Sequence, residues 1–241
     1  MKSIKAVVRR MIDATIVPIA RHISSRITPS YPAITTVLSE LERRTASECA
    51  DYVQANMQTS LNFSRKEDLW DHALTKVNAR GLIVEFGVFS GYSINHIAKT
   101  FKDDVVYGFD SFEGLQEDWI GSEARKGTFD MEGRLPTVVA NVQLVKGWFD
   151  KTIPLFLSEH GSPFCFMHID CDTYEAAKIV FDLIGQRIQV GTVIVFDEYF
   201  GYRGWKIGEH KAWREFVSSM NFRYEYLGFS AQQVSVRITG K

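Results

Sequence analysis

The stretch GLIVEFGVFSGYSINHIAKTF, residues 81–101, decides the fold. It begins as a short apolar run, reaches an acid and a glycine at 85–87, and continues as a helix-like segment. The same alternation follows along the chain. The strand-like runs are DVVYGFD (104–110), VQLVKG (142–147), FCFMHID (164–170) and GTVIVFDE (191–198), and the helix-like segments are TYEAAKIVFDLIGQRI (173–188) and EHKAWREFVSSM (209–220). Alternating strands and helices predict an α/β fold with a doubly wound, mostly parallel sheet.

The two ends of the chain depart from this alternation. In the tail FRYEYLGFSAQQVSVRIT (222–239), two strand-like runs flank GFSAQ without a helix between them, which predicts a terminal antiparallel hairpin. Residues 1–80 read as helical. Ser64 and Glu67 have the spacing of a capping box before the apolar face of the segment at 64–74. We therefore expect an N-terminal helical extension over residues 1–80 and a ligand-binding domain over residues 81–241.

The composition is that of a globular protein. Of the 241 residues, 45% are hydrophobic and 24% are charged, which allows a sizeable core. The net charge of −1 gives no support to a nucleic-acid-binding protein, which normally carries a basic surplus. The three cysteines, Cys49, Cys165 and Cys171, form no CxxC pair. Such a count is typical of a reducing compartment, so we expect a cytoplasmic protein without cysteine-bound zinc.

The N-terminal segment MKSIKAVVRRMIDATIVPIARHI, residues 1–23, mixes basic and apolar side chains. It lacks the continuous apolar region and cleavage site of a secretory signal, and we expect no membrane-spanning run in the chain. Two alternatives stay open. The segment is either a surface or dimer-packing helix kinked at Pro18, or a basic amphipathic helix that touches anionic lipid. We accordingly expect a homo-oligomer, with peripheral membrane contact as the second alternative.

A long segment from Glu113 to Asn141 shows no clear periodicity. Loops of this length inside compact domains are usually functional lids or disordered segments. Trp119 and Phe129 are aromatic residues that such a lid could present to a ligand. The alternative is that they only anchor the loop to the core.

The residues that follow the first two strands predict a cofactor pocket. Ligands of open parallel sheets bind at the carboxyl ends of the strands, where Gly87 permits close approach and Asp110 can accept ribose hydroxyls. Phe89 stands where the dinucleotide-binding fingerprint has its second glycine, which argues against a pyrophosphate. An adenosyl cofactor without phosphates fits better, and Glu85 suits a ligand that carries an ammonium group.

Four acids lie at or just after the ends of the fourth and fifth strand-like runs, FCFMHID and GTVIVFDE. Asp170 and Asp172 lie two positions apart, so they point to one side if the extended geometry continues past the strand end. Asp197 and Glu198 follow the neighbouring strand. Crowded carboxylates repel one another, and a divalent cation removes that cost, with Mg²⁺ favoured over Ca²⁺ or Mn²⁺. The alternative is that these acids cap helices, and Asp172 in particular could be the N-cap of the helix after it.

Four motifs carry a resemblance to a known family. LIVEFGVFSGYSINHIA, VYGFDSFEGL, VKGWFDKTIP and HIDCDTYEAA resemble the macrocin O-methyltransferase family, over about residues 64–241. These are class I S-adenosylmethionine-dependent enzymes that methylate sugar hydroxyls. The resemblance implies a Rossmann-like fold with a seven-stranded sheet, and an S-adenosylmethionine-binding methyltransferase domain at residues 81–241.

The resemblance also implies roles for single residues. Eight would bind the cofactor: Glu85, Gly87 and Ser93 at its methionine end, Asp110 at the ribose, Ser111 and Phe112 beside it, and Gly147 and Trp148 at the adenine. Three would bind the metal, namely Asp170, Asp197 and Glu198, and Asp172 would be the general base. Glu198 stands where the family more often has an aspartate.

We therefore expect an S-adenosylmethionine-dependent, metal-assisted O-methyltransferase that acts on a hydroxyl of a sugar or glycosylated small molecule. A catechol- or phenol-type O-methyltransferase is a near alternative. A nicotinamide-dependent oxidoreductase and a non-catalytic adenosyl-binding scaffold are further ones. His168, inside a strand, reads as a core residue, whereas His210 could approach the substrate as another base.

Overall fold

The computed structural model describes residues 36–241. The chain divides into two compact units, Met1–Leu41 and Glu42–Lys241. The N-terminal segment at 1–23, with its expected lipid or dimer contact, lies outside the described residues. Among those that are described, no helix has both the length and the apolar character needed to cross a membrane. In the first unit, Thr36 Oγ1 accepts a hydrogen bond from the Ser39 N–H at 3.1 Å, where a helix begins.

The described residues form six α-helices and eight strands. The helices are α1 (Val37–Asn56), α2 (Lys66–Leu74), α3 (Tyr92–Thr100), α4 (Phe149–Glu159), α5 (Tyr174–Ile184) and α6 (Glu209–Met220). The strands are β1 (Leu61–Asn62), β2 (Leu82–Phe86), β3 (Val106–Asp110), β4 (Val142–Lys146), β5 (Phe164–Ile169), β6 (Ile188–Phe196), β7 (Arg223–Ser230) and β8 (Gln233–Gly240). Two short 3₁₀ helices, Gly185–Arg187 and Trp205–Ile207, flank β6.

All eight strands belong to one sheet, in the order β1-β7-β8-β6-β5-β2-β3-β4. The pairs from β6 to β4 are parallel, and β8 runs antiparallel to both β6 and β7. The predicted parallel sheet with its terminal hairpin is confirmed. The sheet has one more strand than expected, because the two-residue β1 pairs with β7 at the edge.

Two apolar layers hold the sheet between helices. The helix α5 buries Ala177, Val180, Phe181 and Ile184, which recur at helical spacing on one face. On the other face of the sheet, Trp70 of α2 and Ile94 of α3 pack with residues of β2 and β5. The central strand β5 is buried along its whole length, as expected of a parallel strand covered on both sides.

The capping box predicted at Ser64 and Glu67 is wrong. The helix α2 begins at Lys66, and its N-cap residue Arg65 makes no side-chain cap hydrogen bond. Glu67 is engaged elsewhere, since its carboxylate accepts hydrogen bonds from Arg65 Nε at 3.3 Å and from the Tyr92 hydroxyl at 2.8 Å. Competing partners have therefore replaced the local cap.

Candidate active site

Strand order reverses between β2 and β5, and the backbones that follow these strands touch. Gly87 follows β2 with a φ of +92°, and a Cβ built there would lie 1.7 Å from the carbonyl oxygen of Asp170, which follows β5. Only glycine allows both this backbone conformation and this approach. The loop at 87–91, here called the glycine loop, and the acid-bearing loop at 170–173 therefore lie side by side at the carboxyl edge of the sheet.

A cavity of about 550 Å³ opens at this edge. Its volume lies within the range of small-molecule sites, roughly 300–1,000 Å³. Nine of the predicted site residues line it, namely Gly87, Asp110, Ser111, Gly147, Trp148, Asp170, Asp172, Asp197 and Glu198. The structure thus brings the predicted cofactor loop and the predicted acid cluster to one pocket.

Three predicted cofactor residues lie in the interior instead of in the cavity wall. Phe112 is buried in the core. Glu85 is fully buried, and its Oε1 accepts a hydrogen bond from the Ser93 hydroxyl at 2.5 Å and lies 3.7 Å from His168 Nδ1. Burial raises the pKa of Glu85. The structure places Glu85 and Ser93 in a buried polar cluster that contacts β5.

The carboxylate of Asp110 is held by backbone N–H groups. Its Oδ2 accepts hydrogen bonds from Val88 and Phe89, both at 2.8 Å, and its Oδ1 accepts one from Phe112 at 2.7 Å. A carboxylate offers about four acceptor positions, so these bonds leave about one for a ligand. Asp110 therefore ties the glycine loop to the end of β3 and can also receive one hydroxyl.

Two aromatic residues of the loop between β3 and β4 make different contacts. Trp119 packs edge-on against Tyr202 with ring centroids 5.5 Å apart, so it anchors the loop. Phe129 is 38% exposed and meets Phe89 at 5.3 Å on the cavity wall. Both phenylalanines have positive φ, +68° and +45°, which bulky residues rarely adopt. Trp119 also lines the cavity, so both aromatic residues of this loop border it.

The acids after β5 and β6 converge. The carboxylates of Asp170, Asp172 and Glu198 each offer an oxygen, and these oxygens lie within 4.8 Å of one another. The extended geometry does not continue to Asp172, whose φ is +62°, a left-handed conformation that aspartate tolerates. Thr173 is the N-cap of α5, and its side chain accepts from the Ala176 N–H. Asp172 is therefore not occupied as the helix cap.

The clustered acids resist ionisation. Burial, followed by the charges of Asp197 and Asp172, raises the pKa of Asp170 well above its ordinary value. Burial and the charges of Asp197 and Asp170 do the same for the pKa of Glu198. Burial, then the charges of Asp197 and Asp110, raises the pKa of Asp172 to about 7. Burial and mutual repulsion therefore both oppose the charged forms of these three carboxyl groups.

Asp197 has partners that the other acids lack. Its Oδ1 accepts a hydrogen bond from Gln233 Nε2 of β8 and lies 3.7 Å from His168 Nε2. Burial opposes its ionisation, but His168, together with Glu198 and Lys66, outweighs burial and lowers the pKa of Asp197. Burial likewise opposes protonation of His168, but its contacts with Asp197 and Glu85 raise its pKa to about 10. His168 is thus a core residue, as expected, that also connects two buried acids.

The donor set fits a divalent cation. It consists of carboxylate oxygens alone, which hard cations prefer. Glu198 Oε2 is buried and accepts no hydrogen bond from any described residue.

His210, the other base considered from the sequence, does not line the cavity. It packs against Tyr52, Tyr199 and Trp205. Burial lowers the pKa of His210 to about 4.

The comparisons with known proteins agree with this fold. Residues 84–199 match the model of a family described as a methyltransferase domain, which supports a methyltransferase. The fold resembles the crystal structure of CalS11, a calicheamicin methyltransferase, with a TM-score of 0.57 and 21% identity over 87% of this chain and 94% of that one. It also resembles the O-methyltransferase NovP, with a TM-score of 0.52 and 20% identity over 72% of this chain and 80% of that one. No curated protein matches the chain in sequence. The Rossmann-like methyltransferase fold is confirmed.

Proposed function

We propose that this chain is an S-adenosylmethionine-dependent, divalent-metal-assisted O-methyltransferase that acts on a hydroxyl of a sugar or glycosylated small molecule. The observation that carries the proposal is that the glycine loop and three carboxylates border one cavity. One oxygen from each of these carboxylates lies within 4.8 Å of the other two. The methyltransferase-domain match supports the reaction class. The motif resemblance to macrocin O-methyltransferases supports the acceptor class, as does the description of CalS11 as a TDP-rhamnose 3′-O-methyltransferase.

The glycine-loop side of the cavity suits the cofactor. S-Adenosylmethionine supplies a methyl group on a positively charged sulfur. Gly87 offers backbone without a side chain, and the free acceptor position of Asp110 suits one ribose hydroxyl. Trp148, which lines the same cavity, offers an aromatic face for adenine.

The acidic side of the cavity suits the acceptor. A bound divalent cation would lower the pKa of an acceptor hydroxyl and orient it. Asp170 and Glu198 would hold that cation, and Asp197 could add only its Oδ2, because Oδ1 contacts His168 and Gln233. Asp172 would take the proton of the acceptor hydroxyl, because its carboxyl group lines the same cavity and is not occupied as a helix cap.

Calorimetry and a methyl-transfer assay test the proposal separately. We expect the protein to bind S-adenosylhomocysteine, and we expect methyl transfer to sugar hydroxyls to stop with a chelator and return with Mg²⁺. Absence of S-adenosylhomocysteine binding would contradict the proposed reaction class. A nicotinamide cofactor in the mass spectrum of the purified protein would support an oxidoreductase instead. Activity that survives chelation would contradict the metal alone, and preference for a catechol would contradict the sugar acceptor.

A matched pair of variants sharpens the metal claim. Asp170→Asn removes a clustered acid, whereas Asp150→Asn removes an exposed acid that lines the same cavity and pairs with Lys151 at 2.9 Å. We expect Asp170→Asn to abolish Mg²⁺-dependent transfer and Asp150→Asn to retain it. Equal loss in both variants would show that general acidity of the cavity, and not the cluster, supports the reaction.

A further inference from the structure

A further buried acid, Glu209, lies next to the cluster and was not identified from the sequence. It is the first residue of α6, its side chain is fully buried, and it does not line the cavity. The free N–H groups at a helix N-terminus favour a carboxylate at this position. Because it cannot touch an acceptor in the cavity, any role in the reaction must act through other residues.

Glu209 contacts both chain segments that carry the cluster. Its Oε1 accepts a hydrogen bond from the backbone N–H of Cys171 at 2.7 Å. Cys171 lies between Asp170 and Asp172, so this bond holds the middle of the turn that bears both acids. The backbone of Glu198, at the end of the neighbouring strand, favours the ionised form of the same carboxyl group, but burial dominates and raises the pKa of Glu209 to about 8.

The turn at 170–172 needs such support. Asp172 is left-handed, with a φ of +62°, and a residue in a sparsely populated conformation persists only when its surroundings over-determine it. Within the turn, the N–H of Thr173 donates to the carbonyl of Cys171 at 2.6 Å. The bond to Glu209 is the contact that fixes this turn to α6, a separate element.

We propose that Glu209 is a positioning residue: by holding the Cys171 N–H, it fixes the turn at 170–172 and sets the arrangement of the Asp170, Asp172 and Glu198 carboxylates for a divalent cation. The inference rests on the proposed metal site. Residues that hydrogen-bond around a metal site and orient its ligands affect metal affinity without contacting the ion.

Two substitutions separate the reach of this side chain from its charge. Glu209→Gln keeps the length and one oxygen that can accept from Cys171, whereas Glu209→Asp keeps the carboxyl group but is one methylene shorter. We expect Glu209→Asp to weaken Mn²⁺ binding about tenfold or more, measured by calorimetry with S-adenosylhomocysteine bound. Glu209→Gln should stay within about threefold of the wild type, because a neutral acceptor retains the bond in weaker form. Glu159→Gln, at an exposed position of α4, is the control and should change nothing.

Amide hydrogen exchange at Cys171 gives a second readout that needs no metal. The Cys171 N–H should be protected in the wild type and in Glu209→Gln, and it should exchange faster in Glu209→Asp. Unchanged exchange in Glu209→Asp, or equal loss of Mn²⁺ affinity in both variants, would overturn the positioning role. A wild type that binds no Mn²⁺ would refute the metal site of the proposed function, whereas the exchange experiment would still decide whether Glu209 holds the turn.

Discussion

Acids follow three strands of one sheet, yet they meet opposite surroundings. At the end of β3, Asp110 accepts three hydrogen bonds from backbone N–H groups. At the ends of β5 and β6, Asp170 and Glu198 crowd together, and burial with mutual repulsion raises their pKa values. An acid that is supplied with donors stabilises the fold, whereas crowded acids store a cost that a cation can remove. All these acids lie at strand ends, and the number of hydrogen bonds that each carboxylate accepts distinguishes the structural role of Asp110 from the proposed cation-binding role of Asp170 and Glu198.

The largest effect on stability should come from removing Asp110, the acid that accepts three backbone hydrogen bonds. Asp110→Ala leaves three backbone N–H groups without their charged acceptor, each bond being worth about 1.5–3 kcal/mol. We expect the free energy of unfolding, measured with urea, to fall by about 3 kcal/mol or more. Asp150→Asn is the exposed control and should leave it unchanged. An Asp110→Ala protein of normal stability would mean that Asp110 serves a ligand alone.

The crowded side should instead respond to pH. The proposed ligands Asp170 and Glu198 must lose their protons before they can bind a cation. The pKa values of both are raised, and that of the neighbouring Asp172 is raised to about 7. We therefore expect Mg²⁺ affinity to fall about tenfold between pH 8 and pH 6, measured by calorimetry. A flat profile would show that the clustered acids do not hold the ion.

Thermal unfolding should show the same linkage. The folded-state pKa of Asp172 is raised above its unfolded value, so its contribution to stability is complete below the unfolded pKa and is lost as the pH rises through about 7. The metal-free protein should lose stability over this range, and the gain in Tm with Mg²⁺ should be larger at pH 8 than at pH 6. A gain that shrinks with rising pH would contradict the repulsion argument.

Removing one crowded acid should stabilise the metal-free protein. Asp170→Asn keeps the shape of the side chain and removes its charge from the cluster. We expect the free energy of unfolding at pH 8 to rise by about 1 kcal/mol, the scale of typical gains from surface-charge or cavity repair. The sign is opposite to that for Asp110→Ala, and a loss of stability would show that Asp170 has donors comparable to those of Asp110.

The smallest effect concerns the helix cap. Thr173→Ala removes a long N-cap hydrogen bond of 3.4 Å to Ala176, and it should cost about 0.5 kcal/mol of stability, at the low end for caps. Divalent-cation affinity should not change, because the cap and the cluster use different residues. If Thr173→Ala lowered both stability and divalent-cation affinity, the start of α5 would be coupled to the metal site.

Much of the fold was predictable because apolar runs and amphipathic segments alternate over most of the chain. LIVEF, for example, has the length and apolarity of a buried strand, and it forms β2. The strand β1 was not predictable. It has two residues, and it exists only because Leu61 and Asn62 pair with Gly228 and Phe229, far along the chain.

The candidate site was predictable as far as strand ends allow. Parallel strands place their carboxyl ends together, so the meeting of Asp170 with Glu198 follows from the pattern. The left-handed conformation of Asp172 could not be predicted, because residue spacing does not determine a backbone dihedral angle. The partner Gln233 of Asp197 and the Glu209 contact with Cys171 depend on tertiary packing. The one sequence signal for Glu209 was an acid at the first position of a helix.

Titration of Mn²⁺ into the protein with S-adenosylhomocysteine bound tests the central claim most directly. We expect one site in the wild type, a loss of about 100-fold in affinity for Asp170→Asn because a direct ligand should matter at least as much as its supporting shell, and no change for Asp150→Asn. Absence of a site in the wild type, or equal affinities in Asp170→Asn and the wild type, would contradict the assignment of the acids at the ends of β5 and β6 to a divalent cation.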